Sequence, residues 1–465
     1  MADLDNTIAC RLADFYAAVR PSALPAEVMA KSRRVLADFL AVLAVGYQEG
    51  FLAKLATDYY LQMGGAAEAT VLCADRKLPA ANAALLMAAM GHSVELDDGH
   101  RWGGAHPAVA IVPAVLAVAE REGKSFLELL AGIAVGYDAM CRLARATAPM
   151  HLDKGFHVTG TCGSVGAAAA CAHLMGLDNA QMAYAISLGG LQSAGLCEML
   201  NDNPGIKPIQ PGKAAQAGVI AADLVSRGAT APRTVFEGRY GWLRAMCGDR
   251  YSLPALLDEL GQRWEIMHNY IKLYPTCRHC HAAIDVAREA RQVLGCWLED
   301  IASVDVRMYR LGIDEIGGIV CPNSFEEAMF SLRFAVAIAL ETGNVTLQDY
   351  SAENLADDGL CEVARKVRVE PDEQMDALYP AERGVWMKVT LTDGRVFEKA
   401  VPVAKGEPDN PVSDEELFEK HRAMLQPYYD KDFARGLWDI AVRSDANSVR
   451  CDQIVDHFRR HMQPR

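Results

Sequence analysis

Four strings in the 465-residue chain concentrate side chains that can move a proton or hold a negative charge. The densest runs His92-Ser-Val-Glu95-Leu-Asp97-Asp98-Gly99-His100-Arg101-Trp102-Gly103-Gly104-Ala105-His106-Pro107. Imidazoles titrate near neutral pH, and Asp97 or Asp98 can fix the orientation of one such as His106. No second carboxylate–His pair completes a di-iron or zinc set in this string. The second string, Lys154 to Thr161, sets His157 among Gly and Thr ahead of a small-residue run. That is the composition of a helix start, where exposed N–H groups receive anions. In the third, Ile206 to Lys213, Lys207 stands before a proline and opens another helix, poised to meet an anion.

The fourth string, Ile271 to His281, offers Lys272, Tyr274, Arg278 and His281 as contacts for an anionic substrate. It also contains Cys277-Arg278-His279-Cys280-His281, the Cys-x-x-Cys-His pattern of haem attachment. That chemistry requires export, and the opening residues lack the basic start and apolar core of a signal peptide. Zinc through Cys277, His279, Cys280 and His281 is the alternative, a single knuckle without its partner half. Each string also has an ordinary reading as capped loop, packed imidazole or solvated lysine.

The elements that must position these groups are mostly helical. Apolar residues recur at three- and four-residue spacing over 26–46, 80–92, 112–122, 126–148, 160–176, 179–198 and 212–227. The 80–92 run is apolar all round and so reads as buried. Small residues over 163–171 let neighbouring helices approach closely. Near residue 265 the pattern changes. Val304, Val306 and Met308 alternate with polar residues, and Val385 to Leu391 alternate before an Asp393-Gly394 turn. A helix at 325–342 lies between them, and Ser413-x-x-Glu416 is a capping box that returns the chain to helix. The expected fold is mainly α: an all-helical domain of 1–264 plus 404–465, with an inserted α+β domain of 265–403.

Lys and Arg number 46 against 60 Asp and Glu, a formal charge of −14. An acidic balance argues against nucleic acid or an anionic membrane surface as partner. No run of about 18 uncharged apolar residues suggests a span. The 13 cysteines are scattered through apolar helical contexts, which points to a reducing, cytoplasmic setting with few or no disulfides.

Taken in order, the strings resemble the MmgE/PrpD family, which includes 2-methylcitrate dehydratase, cis-aconitate decarboxylase and iminodisuccinate epimerase. The resemblance rests on LDDGHRWGGAHPA, VPAVLAVAE, GYDAMCRL, GFHVTGTCGSVGAAAA, IKPIQPGKAAQAGVIAADL, FEGRYGW, IKLYPTCRHCHAAIDVA and KGEPDNPVSDEEL. It implies a homodimer, an active-site cleft between the domains, no organic cofactor and no metal. It implies a small di- or tricarboxylate substrate and proton transfer at a carbon beside a carboxylate. Asp97, His106, His157, Lys207 and Lys272 match the family's active-site strings as catalytic residues, and Asp98, Tyr274, Arg278 and His281 are the expected substrate contacts. The chain departs from the family in three places. Glu95 and Gly99 replace an Asp and a Thr of the dehydratase and decarboxylase branches, the loop to His106 is one residue longer than in the decarboxylase branch, and Cys277 stands where that branch has a His. The epimerase branch shares the Cys and a similar loop length. Dehydration and epimerisation therefore stay open, beside a metal-binding protein or an inactive member of the family.

Overall fold

The computed structural model describes residues 5–295 and 297–461, so Cys296 lies outside the described residues. The chain divides into two compact units. One comprises residues 1–93, 97–269 and 417–465; the other comprises 94–96 and 270–416. The divisions fall later than the composition shift at 265 and 403 suggests. Residues 404–416 stay with the second unit because its polar groups bind their backbone. Ile271 N–H donates to the Gly406 carbonyl at 3.0 Å, Arg278 Nη1 to that of Lys405 at 3.0 Å, and Lys405 N–H to Asp285 at 2.9 Å.

The helical unit is built on α1 (Ala26–Glu49), α2 (Ala80–His92), α3 (Pro107–Glu122), α4 (Phe126–Thr147), α5 (Val158–Leu174), α6 (Asn179–Leu191) and α7 (Ile209–Ser226). Every residue of α2 from Ala83 to His92 is buried, as its apolar composition requires. Close approach depends on the small residues. A Cβ on Gly218 of α7 would fall 2.3 Å from that of Ala167 on α5, and one on Gly166 would fall 2.7 Å from the Gly136 carbonyl oxygen on α4. Gly218→Val is therefore expected to lower stability by about 1–3 kcal/mol through overpacking, read from urea unfolding. A hairpin of Ala69–Val71 and Arg76–Leu78 is the main strand pair of this unit, and the sequence gives little sign of it.

The expected helix over 179–198 ends at Leu191. Ser193 to Leu196 instead form a loop, with Gly195 at φ +148°, a conformation L side chains rarely adopt. That loop accepts a hydrogen bond from His157 N–H at the Gly195 carbonyl, 3.1 Å away.

The α+β unit holds α8 (His281–Leu294), β1 (Ile301–Met308), α9 (Leu332–Thr342), β2 (Val367–Pro371), β3 (Val385–Leu391) and β4 (Val396–Val401). Its sheet runs β2-β1-β3-β4, with β1 and β2 parallel and the other pairs antiparallel. Register places Val304 opposite Val389, Val306 opposite Met387 and Met308 opposite Val385, all buried on one face. Residues 325–342 are two helices and not one, because Ser331 caps α9 through Phe334 N–H and spends its own hydroxyl on the Ile319 carbonyl. Cys321 and Cys361 form a disulfide, and the other described cysteines are free.

Glu416 closes the expected box with Ser413 at the start of α10 (Asp414–Leu425), followed by α11 (Lys431–Trp438) and α12 (Asp452–His461). From Leu417 onward these helices complete the helical unit. Lys420 Nζ and His421 Nε2 both reach Asp38 Oδ1 of α1, at 2.6 and 3.0 Å, and all three are buried. No single helix among the described residues is long and apolar enough to cross a membrane.

Candidate active site of the helical unit

Four polar side chains converge where α2 ends and α3, α5 and α7 begin. His92 is the last residue of α2; His106 and His157 immediately precede α3 and α5; Lys207 lies two residues ahead of α7. The three helix starts are tied together. His106 N–H donates to Thr159 Oγ1 of α5 at 3.1 Å, and His157 Nδ1 lies 2.8 Å from Gln210 Oε1 of α7. Helices of 16 to 18 residues thus bring their N-terminal N–H groups and positive dipole ends to one place.

Asp97 organises two of the imidazoles. Its Oδ2 lies 2.9 Å from His92 Nδ1 and 3.0 Å from His106 Nδ1. His106 Nδ1 also lies 2.8 Å from the Asp98 carbonyl oxygen. A carbonyl can only accept, so that nitrogen carries the hydrogen and Nε2 carries the lone pair. The same logic fixes His157. Gln210 Nε2 donates to the Leu196 carbonyl at 2.9 Å, which orients the amide and makes Oε1 the acceptor facing the imidazole. His157 is then Nδ1–H, with its lone pair on Nε2. Burial pushes its pKa well below the ordinary value, and the positive charge of Lys207 and the neighbouring His92 and His106 push it further. It is a neutral base at physiological pH.

Asp98 is fully buried, and three protein donors take up its carboxylate. Tyr137 Oη and Asn269 Nδ2 both lie 2.6 Å from Oδ2, and Ala108 N–H lies 3.1 Å from Oδ1. Burial, with the charge of Asp97, raises its pKa to about 7. Its position is that of a peg beneath the His106 loop.

The remaining sequence candidates belong to the α+β unit. Lys272 Nζ pairs with Glu95 at 2.7 Å, both buried. Tyr274 Oη donates to Asp285 at 2.6 Å and accepts from Arg288 at 2.6 Å. The Arg278 guanidinium binds Glu407 at 3.1 Å, the Lys405 carbonyl at 3.0 Å and His281 Nδ1 at 3.0 Å, and it lies 4.7 Å over the Tyr270 ring. These contacts knit residues 270–281 to 404–407. Burial pushes the Cys277 thiol up to about 12, so it is not a thiolate nucleophile at neutral pH.

The expected knuckle of Cys277, His279, Cys280 and His281 does not close. The structure groups Cys277 and His279 with Glu315, while His281 turns to Arg278 and Cys280 points into the core. That trio could hold a divalent cation, although its three groups already bond to one another: His279 Nε2 lies 3.2 Å and Cys277 Sγ 3.9 Å from Glu315. In the helical unit the Nδ1 atoms of His92 and His106 both face Asp97 Oδ2.

Sequence reading missed His92, Gln210, Tyr137 and Asn269. His92 stands in the densest string, so its proximity to Asp97 was open to inspection. Gln210 lies 53 residues from His157 and Asn269 171 residues from Asp98, and nothing local announces either pairing.

The chain matches two family domains and several curated relatives along most of its length. The MmgE/PrpD N-terminal domain matches residues 10–253 and the MmgE/PrpD C-terminal domain residues 274–445. The cis-aconitate decarboxylase-like protein oryM of Aspergillus oryzae is 25% identical over 92% of this chain and 92% of its own. Cis-aconitate decarboxylase of Aspergillus terreus is 24% identical over 91% and 90%, and that of Homo sapiens 28% identical over 75% and 73%. With both family domains matched in order across a mainly helical chain that carries a smaller α+β unit, the protein belongs to the MmgE/PrpD family.

Proposed function

We propose that the protein is a cofactor-independent lyase or isomerase that moves a proton at the carbon beside a carboxylate of a small di- or tricarboxylate. One observation carries this reading: the His106 imidazole and the His157 imidazole, the latter held neutral by burial and positive neighbours, stand with Lys207 at three joined helix N-termini. The helix ends and Lys207 supply positive potential for a carboxylate, inside a chain of net charge −14. His106 or His157 takes the proton through Nε2. The electron pair left behind spreads into the substrate carboxylate as an enolate, and Lys207 stabilises that developing charge. Return of a proton to the opposite face gives the epimer. Departure of a β-hydroxyl as water gives the alkene. Loss of carbon dioxide, the reaction in the names of the fungal and human relatives, passes through a related carbanion. We favour the first two, because Gly99 and Cys277 replace a hydroxyl and an imidazole of the decarboxylase branch. Lys272 enters the proposal as a buried ammonium whose partner Glu95 stands two residues before Asp97 in the chain. Asp98, Tyr274, Arg278 and His281 enter it as the proposed substrate contacts, each also held by protein partners.

The test is incubation with 2-methylcitrate, cis-aconitate and iminodisuccinate in heavy water, followed by NMR. Deuterium beside a carboxylate, or a dehydrated or epimerised product, is expected from at least one. Neither label nor product from any of them overturns the reading. Lys207→Ala is expected to cut turnover by about a hundredfold or more, with kcat falling more than KM rises.

The proposal includes a homodimer. Phe51, Leu55, Tyr59 and Met63 recur every four residues along one helix face at 73, 55, 59 and 60% exposure, an apolar stripe that suits a protein partner. Light scattering should give twice the chain mass; a single-chain mass at micromolar concentration removes this part.

A further inference from the structure

The functional reading above uses His106 and His157 and leaves His92 without a task. Its placement is demanding. His92 is 1% exposed, its Nδ1 lies 2.9 Å from Asp97 Oδ2, and its Nε2 has no hydrogen-bond partner. Its ring lies edge-on to His106 at 5.0 Å between centroids and nearly parallel to His157 at 6.3 Å. A packing role alone would be met by leucine, without burying an unsatisfied nitrogen.

We propose that His92 is a positioning residue for proton transfer, which divides the charge of Asp97 Oδ2 with His106 and so keeps His106 a neutral base. This rests on the proton-transfer reading of the site. The physical argument concerns one oxygen atom. Asp97 Oδ2 accepts the His92 Nδ1 hydrogen at 2.9 Å and lies 3.0 Å from His106 Nδ1, whose hydrogen also faces the Asp98 carbonyl at 2.8 Å. An imidazolium at His106 is stabilised by the negative charge it faces, and a second N–H on the same oxygen weakens that stabilisation. Removing the His92 donor leaves more of that charge to His106, which then holds its proton to higher pH and acts as a base less often at neutrality. Other charged or titratable groups near the pair include Asp98, whose carboxylate accepts from Tyr137, Asn269 and Ala108, and His157 and Lys207, at the starts of α5 and α7.

The experiment compares wild type, His92→Leu and His92→Asn. Leucine removes the donor; the asparagine amide restores an N–H near the position of Nδ1. The readouts are the acid limb of the pH profile for proton exchange and the titration of His106 followed by NMR with labelled histidine. His92→Leu is expected to raise both midpoints by on the order of one pH unit, and His92→Asn to return them toward wild type. Unchanged midpoints in a folded leucine variant overturn the proposal, as does an asparagine variant that shifts as far as leucine. Should the leucine variant not fold, the wild-type titration decides. Histidine signals that each move in two steps, one for each proton near Asp97, support a shared carboxylate; two independent single-step curves overturn it. The NMR arm needs no substrate, so a protein that turns over none of the carboxylates tried loses the functional reading and leaves this test intact.

Discussion

Asp97→Asn is expected to lower turnover on the order of a thousandfold while leaving the protein folded. One carboxylate oxygen accepts from His92 Nδ1 and lies 3.0 Å from His106 Nδ1. An amide in its place offers one acceptor and one donor. If the amide nitrogen turns toward the rings, His92 must present a lone pair at Nδ1, and His106, whose N–H the Asp98 carbonyl holds in place, faces a donor where it had an anion. If the amide oxygen faces the rings, the tautomers survive, yet the charge that stabilises a nascent imidazolium is gone. Both routes remove base strength at the moment of proton abstraction. The measurement is kcat and kcat/KM across pH together with a thermal melt. Loss of activity with an unaltered melt supports the assignment; activity within about fivefold of wild type removes Asp97 from the mechanism.

His157→Ala is expected to cut turnover by about a hundredfold or more, the usual cost of an acid–base group. Its second signature is in stability. Burial and the positive neighbours hold the folded pKa well below the unfolded value of about 6.5. Below about pH 6.5 the unfolded chain therefore binds a proton at this residue that the native state refuses, so wild-type stability falls as pH falls. His157→Ala removes that term, and its stability should decline less between pH 7 and 5 in urea titrations. An alanine variant with wild-type activity would transfer the role of base to His106 alone. A variant with the wild-type acid response would mean that the imidazole already titrates normally.

How much of this could be read beforehand depends on the range of the interaction. Long periodic runs such as 80–92 and 212–227 declared helices because burial on a helix repeats locally, and the alternation over 385–391 declared a strand for the same reason. The strand Val367–Pro371 escaped notice because it is short and its outer residues are polar; it exists through parallel pairing with residues 304–308. The break between residues 325 and 342 turned on one hydroxyl, that of Ser331, finding the Ile319 carbonyl. At the site, the polar strings and their resemblance to the MmgE/PrpD family marked His106, His157, Asp97 and Lys207, while each string taken alone had an ordinary reading as well. The tautomers were not legible. They depend on the Leu196 carbonyl orienting Gln210 and on a loop where a helix was expected. Arg278 and Tyr274 were marked by the same charge logic, and their contacts lie with Glu407, Asp285 and Arg288.

The knot of Asp38, Lys420 and His421 has a bearing on how the chain is made. Its members are separated by 382 and 383 residues, and the whole α+β unit is synthesised between them. A ribosome therefore releases the first helices long before their last partners exist. Asp38 must wait in solvent or in a loosened bundle, because a buried carboxylate without its ammonium and imidazole partners costs several kcal/mol. The inserted unit, with its own sheet and core, can fold during that wait. Such high contact order favours slow, late closure, and a nascent chain of this kind exposes apolar helix faces for most of its synthesis. The order of assembly is set by the position of one aspartate near the start and two basic residues near the end.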